Sequence, residues 1–190
     1  MAKTGERKAQ ILQTLAAMLE EPKGERITTA LLAARLDVSE AALYRHFSSK
    51  AQMFEGLIEF IETTVFSLVN RIQAEETDGM KQVEATVATL LGFAQKNPGM
   101  TRVLIGDALV NEDERLQARV NQLLDRLEAS LRQSARLAST AGNLPADWDA
   151  NAYANAVIAF VVGRWHQFAK SGFKRTPMDG WAQQWRIFSA

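Results

Sequence analysis

Residues 28–50 read TTALLAARLDVSEAALYRHFSSK, and this stretch predicts two short helices separated by a tight turn. The two threonines at its start can cap a helix over 29–36, because a side-chain hydroxyl accepts hydrogen bonds from the free N–H groups of a first helical turn. Ser39 can cap a second helix over 40–47 in the same way. Only Asp37-Val38 connects the two. This arrangement is typical of a helix-turn-helix, whose second helix enters the major groove of DNA.

The second of these helices is predicted to have one buried and one exposed side. Its apolar side chains can pack on helices predicted over 6–21 and 29–36: Val38, Leu43 and Phe47. Ala41, Tyr44 and Arg45 share the opposite side, because residues three and four apart are neighbours on a helix. A small residue at position 41 lets the helix lie deep in a groove, and Arg45 is the best candidate for reading a base edge such as guanine.

Polar groups around the two helices can bind the DNA backbone. Tyr44, His46 and Lys50 suit phosphate oxygens, and the backbone N–H groups near Thr28 and Thr29 favour an anion. The predicted DNA-binding residues are Arg26, Thr28, Thr29, Ser39, Glu40, Ala41, Tyr44, Arg45, His46 and Lys50. The residues alone leave a structural interpretation open, since two capped helices in an all-helical protein often only pack together.

Apolar residues recur at helical spacing along nearly the whole chain. Pro22 and Gly24 end the first helix. Beyond residue 50, helices are predicted over about 50–75, 80–96, 99–110, 112–138, 150–170 and 178–188. No segment alternates as a strand does. We therefore expect an all-α fold, with a helix-turn-helix domain at 1–50 and a helical body at 51–190.

Composition argues against several classes of protein. The 190 residues include no cysteine and only two histidines, which disfavours disulfides, thiolate chemistry and a histidine-rich metal site. Lys and Arg together number 22, as do Asp and Glu, although 8 basic and 6 acidic side chains give residues 1–50 a net charge of +2. DNA contacts must therefore come from the local placement of charges rather than from a strong overall field.

No feature of the sequence predicts catalysis, a cofactor, a metal or a membrane span. Glu112, Asp113 and Glu114 point in different directions on a helix, so they indicate a charged helix start. No nucleophile can be paired with a base. No apolar run reaches about 18 residues, and the polar N-terminus does not resemble a signal peptide. We expect a cytoplasmic protein that is not an enzyme.

The helix-turn-helix stretch resembles the TetR family of regulators. The matching residues are TTxxLA at 28–33 and VSxxxLYxHFxxK at 38–50. The resemblance implies a three-helix DNA-binding head on a helical body that dimerises through its last two long helices. Asp37 departs from the family, where glycine is common, but aspartate tolerates a left-handed backbone better than most residues.

The C-terminal helices are the predicted contacts of a homodimer. Ala156, Ala159 and Gly163 lie on neighbouring turns and would allow another helix to approach closely. We expect 150–170 to form one arm of a four-helix interface and 178–188 to be the candidate second arm. The tryptophans of this region favour helix–helix contacts over a ligand site: Trp148, Trp165, Trp181 and Trp185.

Strings along the body resemble one group within the TetR family more closely, the nucleoid occlusion factors. They include LIEFIE at 57–62, LLGF at 90–93, NPGMTR at 97–102 and RLQARVNQLLDRLEASLRQ at 115–133. The resemblance implies a nucleoid-associated protein that binds chromosomal sites in double-stranded DNA as a dimer. It also implies that the DNA-bound dimer antagonises the tubulin-like division protein FtsZ, so that septa do not close over the nucleoid.

The same resemblance implies a site for the short C-terminal tail of FtsZ, with Phe60, Gly92, Lys96 and Asn97 as the positions that fit. Phe60 would be an apolar anchor, Gly92 would permit close backbone approach, and Lys96 would attract an acidic peptide. The alternative is that Phe60 is a core residue and that Gly92 only aids helix packing. Leu68 stands where a basic residue is expected, so part of the polar recognition is expected to be missing or relocated.

A second function stays open at the level of sequence. TetR-type bodies usually hold a small-molecule pocket, which would make the protein a ligand-responsive transcriptional repressor. The apolar stripes of the body are compatible with such a pocket, and core packing explains them equally well. Few polar residues of the helices over 80–170 could orient a ligand.

Overall fold

A computed structural model describes residues 4–21, 27–142 and 148–189. Over these residues the chain is all-α, as predicted. The helices, in chain order, are α1 (Thr4–Glu20), α2 (Thr29–Arg35), α3 (Glu40–Tyr44), α4 (Lys50–Glu75), α5 (Gly79–Lys96), α6 (Pro98–Leu104), the 3-10 helix Asp107–Leu109, α7 (Glu114–Thr140), α8 (Ala150–Lys170) and α9 (Trp181–Phe188). None of these helices combines the length and apolar character that a membrane crossing requires. Pro22 and Gly24, the predicted helix breakers, lie outside the described residues.

The chain divides into two compact units. The first comprises residues 1–61 and 97–120, and the second comprises residues 62–96 and 121–190. The first unit therefore contains the helix-turn-helix together with α6. The domain boundary expected after residue 50 stays a prediction.

In the first unit, α6 packs closely against α1. A Cβ atom on Gly99 would collide with the backbone oxygen of Ala16, so only glycine fits at this contact. Arg102 Nη1 donates to the backbone oxygens of Leu19 at 2.9 Å and Glu21 at 3.2 Å. These carbonyls lie at the end of α1, where helical carbonyls have no partner within the helix. Gly99 and Arg102 together hold α1, on which α2 packs, and α2 in turn packs on α3.

We expect Gly99→Ala to destabilise the protein. The added methyl group has no room beside α1, and overpacking of this kind costs about 1–3 kcal/mol. Thermal unfolding followed by circular dichroism measures the effect. Gly5→Ala is the control, because no atom lies within 4 Å of a Cβ built there. A Gly99→Ala protein that melts with the wild type would contradict the close contact.

The helix predicted over 99–110 is wrong as a single helix. The structure ends α6 at Leu104, and a short 3-10 helix follows at Asp107–Leu109. Gly106 lies between them with φ at 76°, in the left-handed region that glycine adopts without a steric penalty. Such a residue directly after a helix terminates it.

Two hydrogen bonds between buried groups join helices in the core of the second unit. Trp165 of α8 is 1% exposed, and its Nε1 donates to the backbone oxygen of Leu90 in α5 at 3.2 Å. Ser134 of α7 donates to the Oε1 atom of Gln82 at 2.7 Å, and both residues are buried. A Cβ atom on Gly79 would collide with the backbone of α7. These contacts fix α5 against both α7 and α8.

Candidate DNA-binding surface

Both short helices begin with the predicted side-chain caps. Thr28 Oγ1 accepts from the backbone N–H of Leu31 at 3.2 Å, and Ser39 Oγ accepts from that of Ala42 at 3.3 Å. Asp37, in the connector, has φ at 54°. The expectation that aspartate adopts a left-handed backbone here is confirmed, and the tight turn forms without glycine.

The two sides of α3 differ in burial as predicted. Leu43 is 1% exposed and Phe47 is 5% exposed, whereas Ala41, Tyr44 and Arg45 are exposed. The helix itself is shorter than predicted, since it ends at Tyr44 and not at residue 47. The chain then turns, and the N–H groups of the next residues bond back to the carbonyl of Leu43.

A chain of hydrogen bonds joins α2 to α3 on the exposed side. The Tyr44 hydroxyl donates to Thr29 Oγ1 at 3.4 Å, and Thr29 Oγ1 donates to Glu40 Oε2 at 2.6 Å. Thr29 and Glu40 are the first residues of their helices. Three of the predicted DNA-binding residues are therefore brought together as one cluster.

The other predicted DNA-binding residues lie in different surroundings. Lys50 Nζ pairs with Glu112 Oε1 at 2.5 Å and lies 5.7 Å from the centroid of the Phe54 ring. His46 is half-buried, and its Nδ1 has no hydrogen-bond partner among the described residues. Arg26 lies outside the described residues. All three stay predicted DNA contacts.

The acidic residues at 112–114 form the predicted charged helix start, and they also make an ion pair that the sequence did not predict. Asp113 Oδ1 accepts from the backbone N–H of Arg115 at 3.0 Å at the start of α7, which fits a charged helix start. The side chain of Arg115 also pairs with Asp113 and lowers the pKa of that carboxyl to about 2. The pairing of Glu112 with Lys50 was missed, because a contact across 62 positions leaves no local pattern. The described residues contain no group of three side chains suited to a metal ion.

The predicted FtsZ-binding residues are exposed or half-buried. Phe60 and Asn97 belong to the first unit, and Gly92 and Lys96 belong to the second. Phe60, in α4 of the first unit, is 50% exposed, so the alternative that it is a core residue is wrong. In α5 of the second unit, a Cβ atom on Gly92 would meet no other helix and no side chain beyond its chain neighbours within 4 Å, so close helix packing does not explain this glycine. Lys96 ends α5 and is exposed, while Asn97 precedes α6 and is half-buried.

Comparisons with known proteins agree with this geometry. The family model for bacterial regulatory proteins of the tetR family matches residues 11–57, and the SlmA-like model of a tetracyclin repressor-like C-terminal domain matches residues 77–190. A TetR transcription regulator from Haloarcula marismortui superposes with a TM-score of 0.81 over 97% of both chains at 16% identity. FadR from Bacillus halodurans gives a TM-score of 0.82 over 100% of this chain and 97% of its own, at 13% identity. The fold and the helix-turn-helix define a TetR-type DNA-binding protein.

Relatives with similar sequences show which group of TetR-type proteins the chain belongs to. The nucleoid occlusion factor SlmA of Alteromonas mediterranea is 50% identical over 96% of this chain and 93% of its own. That of Marinomonas sp. is 48% identical over 98% of this chain and 95% of its own. The chain belongs to the SlmA family of nucleoid occlusion factors.

Proposed function

We propose that the protein binds specific chromosomal sites as a homodimer and that the DNA-bound dimer antagonises FtsZ assembly by binding the C-terminal tail of FtsZ. It would act in the cytoplasm on the nucleoid and block septum formation there. Phe60 is the observation that carries this proposal. It is 50% exposed, whereas Phe54 and Phe66 of the same helix are 1% and 9% exposed. The relatives of this protein are named as nucleoid occlusion factors, which supports the proposed role in blocking septum formation.

The surroundings of Phe60 on α4 leave the ring open to a peptide. Thr63 lies three positions later, where it is a neighbour on the helix, and it is small and exposed. Full burial of an exposed phenylalanine side chain contributes about 1.5–3 kcal/mol, so covering the exposed half of Phe60 contributes about 1 kcal/mol towards anchoring a short peptide. An aromatic side chain has only two rotatable bonds, so it loses little conformational entropy when it is covered.

On α5, Gly92 and Lys96 support the proposal through a different chemistry. They are four positions apart and share one side of the helix. Gly92 has open space where a side chain would stand, which lets a peptide backbone approach. Lys96 supplies a cation for an acidic peptide. Leu68 carries no charge and is half-buried, so we assign the cationic part of recognition to Lys96.

The proposed homodimer pairs α8 and α9 of two subunits. Exposed small residues follow one side of α8 at spacings of four, three and four: Ala152, Ala156, Ala159 and Gly163. On α9, Ile187 is 76% exposed while Trp181 is 7% exposed. Arg164 holds the segment before α9, because its Nη2 donates to the backbone oxygens of Thr176 at 3.0 Å and Asp179 at 2.8 Å. A second copy of the chain would cover the small stripe and Ile187 together.

We expect Ala159→Arg to convert the dimer into a monomer. A long charged side chain in the centre of the small-residue stripe would prevent close helix approach. Light scattering coupled to gel filtration measures the mass. Ala118→Arg is the control, because it makes the same change at an exposed position of α7, outside the small-residue stripe of α8. A dimeric Ala159→Arg protein would place the interface elsewhere.

The dependence on DNA is tested with a fluorescent peptide of the FtsZ C-terminal tail. We expect the peptide to bind more tightly when the protein is saturated with a specific duplex, because coupling between two sites is a difference in affinity between two states. Anisotropy titrations with specific duplex, scrambled duplex and no duplex measure that difference. Equal affinity under all three conditions would contradict activation by DNA. Absence of peptide binding under all three would contradict FtsZ as the partner.

A further inference from the structure

The exposed cluster of Thr29, Glu40 and Tyr44 contains a carboxylate on the side of the head that is proposed to face DNA. The Thr29 hydroxyl donates a hydrogen bond to one oxygen of that carboxylate at 2.6 Å, and the Tyr44 hydroxyl donates to Thr29. Glu40 is exposed, and it is the residue of α3 that directly follows the Ser39 cap. Two helices therefore fix the position of an acidic group on a surface where cations are expected.

A fixed carboxylate restricts which part of DNA can lie against it. Phosphate oxygens repel it, so it does not contribute to general affinity. In the major groove, guanine presents only acceptors and thymine presents an acceptor and a methyl group. Adenine presents its N6 amino donor next to the N7 acceptor, which repels a carboxylate, whereas cytosine presents the N4 amino donor alone and so matches a carboxylate. The residues at the start of the second helix of a helix-turn-helix contact base edges, which is where Glu40 lies.

We propose that Glu40 is a specificity-determining residue that accepts a hydrogen bond from the N4 amino group of one cytosine in each half of the DNA site. Thr29 is the residue that positions the carboxylate. The proposal rests on the proposed role of the head in DNA binding, and it adds the chemistry of one base pair. Because the carboxylate repels phosphates, Glu40 lowers the affinity for unrelated DNA while it raises the preference for the correct site.

The test compares the full-length wild type with Glu40→Gln. Selection from randomised duplexes gives the preferred site of each protein, and titrations then use duplexes that differ at one symmetric base pair. We expect the wild type to prefer cytosine over thymine about tenfold at that position. Glu40→Gln should bind both about equally, because an amide can also donate to the O4 atom of thymine. Its affinity for unrelated duplex should rise.

Three variants separate this role from simpler explanations. Glu20→Gln removes the same charge from an exposed position of α1 and should keep the wild-type preference. Thr29→Val retains the carboxylate but removes its hydrogen bond, so it should weaken the preference. Thr29→Ser retains the hydroxyl and should restore the preference.

A further measurement needs only the wild-type protein. Replacing the selected cytosine by N4-methylcytosine removes the amino hydrogen that faces the groove and should cost a similar factor. A Glu40→Gln protein that selects the same bases with the same discrimination would overturn the proposal, as would a wild-type site without a discriminated cytosine. A wild type that prefers no duplex at all would instead overturn the proposed function.

Discussion

Replacing Tyr44 and Arg45 together by alanine is expected to abolish specific DNA binding. Both side chains are exposed, and the Tyr44 hydroxyl donates to Thr29, whereas Leu43, the residue before them, is buried. Arg45 is predicted to read a base edge, which contributes about 1–3 kcal/mol, and Tyr44 is predicted to contact a phosphate, so the double variant should lower the affinity by about 10- to 100-fold or more. Anisotropy with the selected duplex measures the loss.

The control for that pair is Arg136→Ala, an exposed arginine of α7 outside the head. It removes the same charge, so it should leave affinity near that of the wild type. The double variant should also keep the wild-type melting temperature and mass, because neither side chain is part of the core. A double variant that binds the selected duplex with wild-type affinity would show that α3 does not read DNA.

Replacing Phe60 by aspartate is expected to remove binding of the FtsZ tail while DNA binding stays intact. An aromatic anchor at the centre of an interface is worth at least about 2 kcal/mol, which corresponds to a loss of about 30-fold. The aspartate also repels an acidic peptide. Because the side chain is already 50% exposed, the change should cost little stability. Peptide anisotropy in the presence of specific duplex measures the effect.

Val110→Asp is the matched control for Phe60→Asp. Val110 is 66% exposed and lies in the turn that precedes α7, so the variant adds a charge at another exposed apolar position. It should bind the peptide as the wild type does. If both variants lose the peptide equally, charge rather than the ring at position 60 explains the effect. If neither loses it, the tail binds elsewhere.

The long helices were predictable because each has an apolar stripe that continues over several turns. The prediction over 50–75 coincides with α4, whereas the prediction over 99–110 missed the break at Gly106. A glycine inside a helix costs only about 1 kcal/mol, so an isolated glycine in an apolar stripe does not decide between a continuous helix and a stop. In the structure, the left-handed backbone at Gly106 ends the helix.

In the candidate site, contacts between residues close in sequence were predictable, whereas contacts between distant residues were not. Caps such as Ser39 involve residues three positions apart, so the sequence pattern contains them. The bond between Thr29 and Glu40 spans 11 positions and that between Lys50 and Glu112 spans 62, so neither was expected. Exposure of Phe60 was also undecided, because an aromatic residue within an apolar stripe is compatible with a core position. Only the folded chain shows which side chains lack a neighbour.

Sedimentation of FtsZ polymers tests whether the DNA-bound protein antagonises FtsZ assembly. FtsZ assembled with GTP is mixed with the full-length protein and either the selected duplex, a scrambled duplex or no DNA, and the FtsZ in the pellet is measured. We expect the amount of FtsZ in the pellet to decrease strongly only with the selected duplex and to recover when Phe60 is replaced by aspartate. An unchanged pellet with the selected duplex, or an equal decrease without DNA, would contradict this expectation.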